Sequence, residues 1–222
     1  MDKLVRKIEV PLAKRAIERA GLYIAQKKDI KRLAELSVDA YQGYPLHQWL
    51  SNGKYDPLTS KLLMQVTLKT MYKDSIIYAD SEEMNGFAAW FPFGFSGNKV
   101  VPFLMNGGLR LFVHAGIGFV DRLLTFDNYA MGLKKEFTDN YDWYLFNICI
   151  KKDAQGKGIA SKLMRPMLQF CDDERMPAYL ETNKESNIGF YQHFGFDLMS
   201  KEPIPGSTVI HCAMVRRPIF DE

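Results

Sequence analysis

Cysteine is scarce in this chain. Its three thiols, Cys149, Cys171 and Cys212, lie far apart among apolar residues. They can build neither a disulfide framework nor a paired-cysteine metal site, so reduced thiols and a cytoplasmic location are expected. The four histidines show no metal-ligand spacing, and no metal is expected. Charge of one sign is also lacking: 29 basic residues nearly balance 26 acidic ones, for a net charge of +3. No basic stripe interleaved with aromatics is visible, which argues against a nucleic-acid partner. Long hydrophobic runs are missing too. Residues 109–120 come nearest, but they contain Arg110 and His114 and are too short to span a bilayer, so no membrane partner is expected. The charges at Asp2, Lys3, Arg6 and Lys7 do not read as a secretory signal. Repeats and low-complexity tracts are absent.

What is present is an ordinary globular composition, 47% hydrophobic and 25% charged over 222 residues. Residues 1–20 read as a helical extension containing Pro11, and 21–222 as one domain. A short strand at 22–25 precedes a helix with Asp29 as its N-cap, and a second helix fits 59–72. SIIYA and GFAAWF, joined by SEEMN, read as a hairpin. Residues 93–140 are rich in Phe, Gly and Leu and read as a helical insertion. The apolar run WYLFNICI (143–150) reads as a central strand. A helix with Ile159, Leu163, Met167 and Phe170 on one face follows, then a strand at 178–181, a helix at 187–193 and two closing strands. The fold class is α/β (an α+β mixed sheet) with at least one parallel crossover.

The stretch DAQGKGIA (153–160) joins that central strand to the following helix. A helix N-terminus exposes unpaired N–H groups at the positive end of the macrodipole. Behind a glycine-bearing turn it forms an anion site, which suits a phosphate. A dinucleotide fingerprint requires Gly or Ala three residues after Gly158, where this chain has Ser161. A P-loop requires Lys followed by Ser or Thr after its last glycine, and Lys157 instead lies between Gly156 and Gly158.

Gln155, Gly158 and Ala160 match the Q/R-x-x-G-x-G/A signature of the GNAT family of N-acetyltransferases. Asn187, Tyr191 and Gly195-Phe196 match that family's second segment at the same spacing and order. The chain therefore resembles this family, strongly over 143–200 and fairly over 22–92. The resemblance implies a central mixed β-sheet flanked by helices and an acyltransferase enzyme using acetyl-CoA as cosubstrate. Gln155, Gly156, Lys157, Gly158, Ile159, Ala160 and Ser161 would hold its pyrophosphate. Ile148, Cys149 and Ile150 would run beside the pantetheine arm where two parallel strands splay apart, with Asn187 touching the coenzyme. Acetyl would pass directly to a primary amine of a small molecule or peptide. A backbone N–H near Cys149 would serve the oxyanion, and Tyr191 the departing thiolate.

The glutamate that histone-type members carry on the central strand falls on Tyr144 here. Glu181 is the nearest carboxylate and the candidate base, with Asp142 and a water chain as the alternative. His114 stands in the insertion, unranked. The insertion itself would form an acceptor-side lid. Homodimers are frequent in families of this kind. A non-catalytic acyl-CoA sensor and a transferase for a longer acyl group are the competing readings.

Overall fold

In the computed structural model, which describes residues 2–92, 100–138 and 142–219, the strands form one sheet in the order β1-β2-β3-β4-β5-β7-β6. They are β1 (Tyr23–Ile24), β2 (Ile76–Ala79), β3 (Gly86–Phe91), β4 (Trp143–Ile150), β5 (Ala178–Thr182), β6 (Asp197–Pro203) and β7 (Ile210–Arg216). The expected hairpin is the antiparallel β2–β3 pair. Every residue of both strands is buried, because helices cover both faces. Among the described residues only β4 and β5 run parallel, joined by the crossover helix α8 (Ile159–Asp173). The mixed sheet flanked by helices is the architecture read from the sequence.

One face of the sheet packs against α1 (Asp2–Arg19) and α8, the other against α2 (Ile30–Ala40) and α4 (Pro57–Met71). Leu163, Met164, Met167 and Phe170 of α8 enter the first core, and Pro166 leaves the helix continuous. The sequence reading set residues 1–20 apart as an extension. Ala13 and Ile17 of α1 are instead fully buried in that same core. An isoleucine buried this way contributes about 1.5–3 kcal/mol, so α1 is part of the body. Arg216 of β7 ties the far end together: it pairs bidentately with Asp172 of α8 at 2.7 Å and donates to the Phe194 carbonyl at 2.9 Å. Asp29 does not cap α2 through its side chain; its carboxylate accepts from the Gln26 N–H and the Tyr23 hydroxyl.

The insertion before β4 is helical where it is described: α5 (Val100–Phe103), a π-turn at Leu104–Gly108, α6 (Leu109–Ala115) and α7 (Ile117–Thr138). Residues 93–99 and 139–140 of that insertion lie outside the described residues. Leu111 and Phe119 pack with Leu62 of α4 and Leu50 of α3 (Pro45–Leu50), which fixes this layer over the sheet. Among the described residues, no helix is long and apolar enough to cross a membrane.

Candidate active site

The parallel ladder between β4 and β5 is short. It pairs Trp143, Tyr144 and Leu145 with Ala178, Tyr179 and Leu180 and then ends. From Phe146 onward β4 pairs with β3 alone. The cause lies in β4 itself. Ala89 and Trp90 are consecutive on β3, but they face Asn147 and Leu145, so Phe146 is an extra residue, a β-bulge. The bulge bends the strand and turns Phe146 and Asn147 to the same side, where both line a cavity. Strict alternation predicts opposite sides for these two.

Beyond the bulge, hydrogen-bond alternation decides which backbone groups are free. The Lys151 N–H donates to the Asn85 carbonyl at 2.8 Å, and Gly86 pairs in turn with Asp80 on its other side. In an antiparallel ladder this register turns Cys149 toward β3 and leaves Ile148 and Ile150 facing the gap beside β5. The Cys149 thiol packs in the core under α2 and α4, and burial pushes its pKa up. Of the three strand positions singled out in the sequence, Ile148 and Ile150 therefore present backbone groups to the gap and Cys149 does not.

The strand ends at the DAQGKGIA turn. Gln155 donates from its amide to the Ile150 carbonyl at 3.3 Å. Gly156 and Gly158 have φ of +74° and +78°, the left-handed region that side chains with a Cβ avoid. Gly158 is the N-cap of α8 and supplies no capping side chain, so the first N–H groups of the helix, including those of Ile159, Ala160 and Ser161, face outward. A Cβ on Gly156 or Gly158 would meet nothing within 4 Å. Conformation therefore requires these glycines, and internal crowding does not. Gly86, beside the turn, is crowded: a Cβ there would lie 2.9 Å from Ile159 and 3.1 Å from the Cys149 carbonyl. Its bareness lets the start of α8 press against β3. Lys157 is exposed at the rim of the turn.

Tyr191, on α9 (Ile188–Gln192), is buried against Phe190 and Phe196. Burial pushes its phenol up, and Tyr44 and Cys149 are near enough to add to the shift. Its hydroxyl is thus within electrostatic reach of Tyr44 and of Cys149 on β4. Tyr44 holds the β5 side of the gap: its hydroxyl accepts from the Asn183 N–H at 2.9 Å and lies 3.2 Å from the Thr182 hydroxyl. Asn187 stands at the N-cap position of α9 without a side-chain capping bond; its amide donates to the Thr182 hydroxyl at 3.2 Å. It braces the end of β5 instead.

A cavity of about 380 Å³ opens between this gap and the helices α3 to α7. Its walls are mostly apolar; Glu181 and Asp127 are its carboxylates, and Tyr144, Asn147, Tyr41, Tyr44, His47 and Asn183 are among its other polar residues. Glu181 accepts from the Tyr144 hydroxyl at 3.1 Å and the Tyr179 hydroxyl at 2.7 Å. Tyr144, standing where a strand glutamate was sought, thus orients a carboxylate from the next strand. Burial, and then the charge of Glu181, push both phenols up, so they remain donors. His211 lies behind. Its Nδ1 accepts from the Asn183 amide at 3.1 Å, which leaves the proton on Nε2, 3.8 Å from Glu181 Oε1.

Asp127 of α7 is a site residue that the sequence reading missed. It lines the cavity, and burial, followed by the charge of Glu181, pushes its pKa up to about 6. It lies between the aromatics Phe126 and Tyr129 of the insertion, and nothing local marks it in the sequence. Asp142, the alternative base, is fully buried in an ion pair with Lys134 at 2.7 Å, away from the cavity. His114 points to Asp56 at 3.1 Å and is not in the cavity wall.

Comparison with known proteins agrees with this geometry. The pattern of the acetyltransferase (GNAT) family matches residues 116–196, from the start of α7 to the end of the Tyr191 segment. An uncharacterized N-acetyltransferase of Schizosaccharomyces pombe is 28% identical over 177 residues, 77% of this chain and 72% of that protein. A Corynebacterium glutamicum structure described as a histone acetyltransferase and related acetyltransferase shares the fold at a TM-score of 0.62 and 19% identity, covering 90% of this chain and 97% of that one. A Salmonella typhimurium protein assigned as an acetyltransferase, solved with its cofactor acetyl-CoA, aligns at a TM-score of 0.51 and 12% identity, over 90% of this chain and 94% of its own. The match over residues 116–196, the curated relative and the shared fold together support the GNAT family and indicate an acyltransferase enzyme.

Proposed function

We propose that the protein is an acetyl-CoA-dependent N-acetyltransferase that moves acetyl directly to a primary amine. The observation that carries this reading is the opening of β4 from β5 beside an uncapped, glycine-bearing helix start. The residues fit the coenzyme. The N–H groups at 156–161 offer an anion site, with Lys157 adding charge and Ser161 a hydroxyl. The approach over Gly156 and Gly158 is clear. The gap-facing backbone of Ile148 and Ile150 can pair with an amide-bearing arm as with an added strand. Asn187 reaches that arm from the brace it makes with Thr182.

Acetyl-CoA supplies the acyl group as a thioester, and the protein supplies the rest. An ammonium has no lone pair, so a cavity carboxylate must take one proton before attack. Glu181, held by two phenols and backed by His211, is placed for this, directly or through the neighbouring Asp127. As the nitrogen–carbon bond forms, the Ile148 N–H is the donor turned toward the developing oxyanion. As the carbon–sulfur bond breaks, Tyr191 donates a hydrogen bond to the sulfur. A phenol raised above its usual value of about 10 is a donor at neutral pH and a poor source of a free proton. The second proton of the nitrogen therefore ends on the sulfur, and the thiol leaves neutral.

Titration calorimetry with acetyl-CoA, and with ATP and NAD as controls, tests the reading. Binding of acetyl-CoA alone, with acetyl transfer to an amine, is the expected result. A folded protein that ignores acetyl-CoA refutes it. Binding without any transfer points to the sensor reading.

A further inference from the structure

The cavity is chemically lopsided. Leu63, Met64, Phe103, Phe112, Leu123 and Phe146 make apolar walls, while its acidic groups, Asp127 and Glu181, stand at the sheet. Glu181 is engaged by Tyr144 and Tyr179. Asp127 is influenced by burial and by Glu181 alone; among the described residues no lysine or arginine pairs with it. Asn147, on the same wall, is 5% exposed and carries a buried Oδ1 without a hydrogen-bond partner. Its amide nitrogen is taken by the Tyr41 hydroxyl. Two carboxylates and an unused carbonyl oxygen in apolar surroundings are unfavourable for the protein alone and are relieved by a cation that donates hydrogen bonds.

An ammonium group is such a cation: it has three donors and no acceptor. The rest of the ligand must match walls without charge. A second ammonium would lie against leucine and phenylalanine, which lowers affinity by about 100-fold or more. The volume of about 380 Å³ sits at the small end of ligand pockets and suits a small molecule.

We infer that the acceptor is a small primary monoamine with an uncharged, apolar body, whose ammonium is received by Asp127 beside Glu181. The identity of the bound group rests on the cavity; that it is acetylated rests on the acetyltransferase reading. Asp127 takes one proton from the ammonium and later releases it to solvent, which frees the nitrogen lone pair. Polyamines and aminoglycosides, with their several ammonium groups, do not suit this cavity.

The test compares hexylamine, 1,6-diaminohexane and 1-hexanol by calorimetry in the presence of coenzyme A, alongside acetyl transfer to the two amines. Hexylamine is expected to bind at least about 100-fold more tightly than the diamine. Asp127→Asn is expected to weaken hexylamine about tenfold or more, while 1-hexanol and acetyl-CoA bind as before. A diamine that binds as well as hexylamine overturns the inference, as does an unchanged hexylamine affinity in the variant. Should the variant not fold, the amine pair in the unaltered protein decides. Selective hexylamine binding without acetyl transfer upholds the monoamine site and refutes the transferase reading, so the two failures are distinguishable.

Discussion

Leu145 and Leu180 are the last facing residues of the β4–β5 ladder. One residue later the bulge at Phe146 carries β4 away, and the backbone of Ile148 faces the gap while that of Cys149 faces β3. Proline substitutions separate the two roles, because proline removes an N–H wherever it stands. Ile148→Pro is expected to weaken acetyl-CoA binding about tenfold or more with a modest loss of stability. Cys149→Pro removes a ladder bond and is expected to be the more destabilising by urea denaturation. Equal destabilisation by both contradicts the register argued here.

Tyr191 has no hydrogen bond to another side chain among the described residues, so removing its hydroxyl leaves no internal partner stranded. Tyr191→Phe is expected to lower kcat by about 100-fold, the scale for losing a hydrogen-bond donor to charge that develops in the transition state, and to leave acetyl-CoA affinity unchanged. Steady-state kinetics with calorimetry on the same sample checks both halves. Unchanged kcat removes Tyr191 from the reaction.

Much of this was legible in the sequence, for reasons of range. The turn at 153–160 and the Asn187–Tyr191–Gly195 frame are local: left-handed glycines and a helix start are specified within a few residues. The central strand was legible because β4 is an apolar run. The bulge was not, because WYLFNICI carries no sign that Phe146 is the extra residue; partner register decides it. Asp127 was hidden for a similar reason. It is one carboxylate in a 22-residue helix, and only the docking of α7 over β5 brings it to Glu181. The missing strand glutamate was read correctly as missing. That Tyr144 hydrogen-bonds to Glu181 needed the pairing of β4 with β5.

His47, in the cavity wall, stacks on Tyr41 with ring centroids 4.0 Å apart and lies 2.9 Å from the Ser60 hydroxyl. Burial lowers its pKa from 6.5 to about 4. The folded state thus refuses a proton that the unfolded chain accepts. The stability this residue contributes is complete above pH 6.5 and is lost as pH falls toward 4, about 1.4 kcal/mol per unit. Urea denaturation at pH 7.5 and pH 5 is expected to show a loss about 2 kcal/mol larger for the native sequence than for His47→Gln. Parallel pH dependences refute the assignment.

Amide hydrogen exchange with and without acetyl-CoA tests the central claim, that coenzyme pairs with the freed edge of β4. Cys149 and Phe87 already bond within the ladder and are expected to exchange slowly in both states. Ile148, Ile150 and the amides of 156–161 are expected to be protected only when acetyl-CoA is added. Acetyl-CoA binding that leaves Ile148 and Ile150 unprotected contradicts the account.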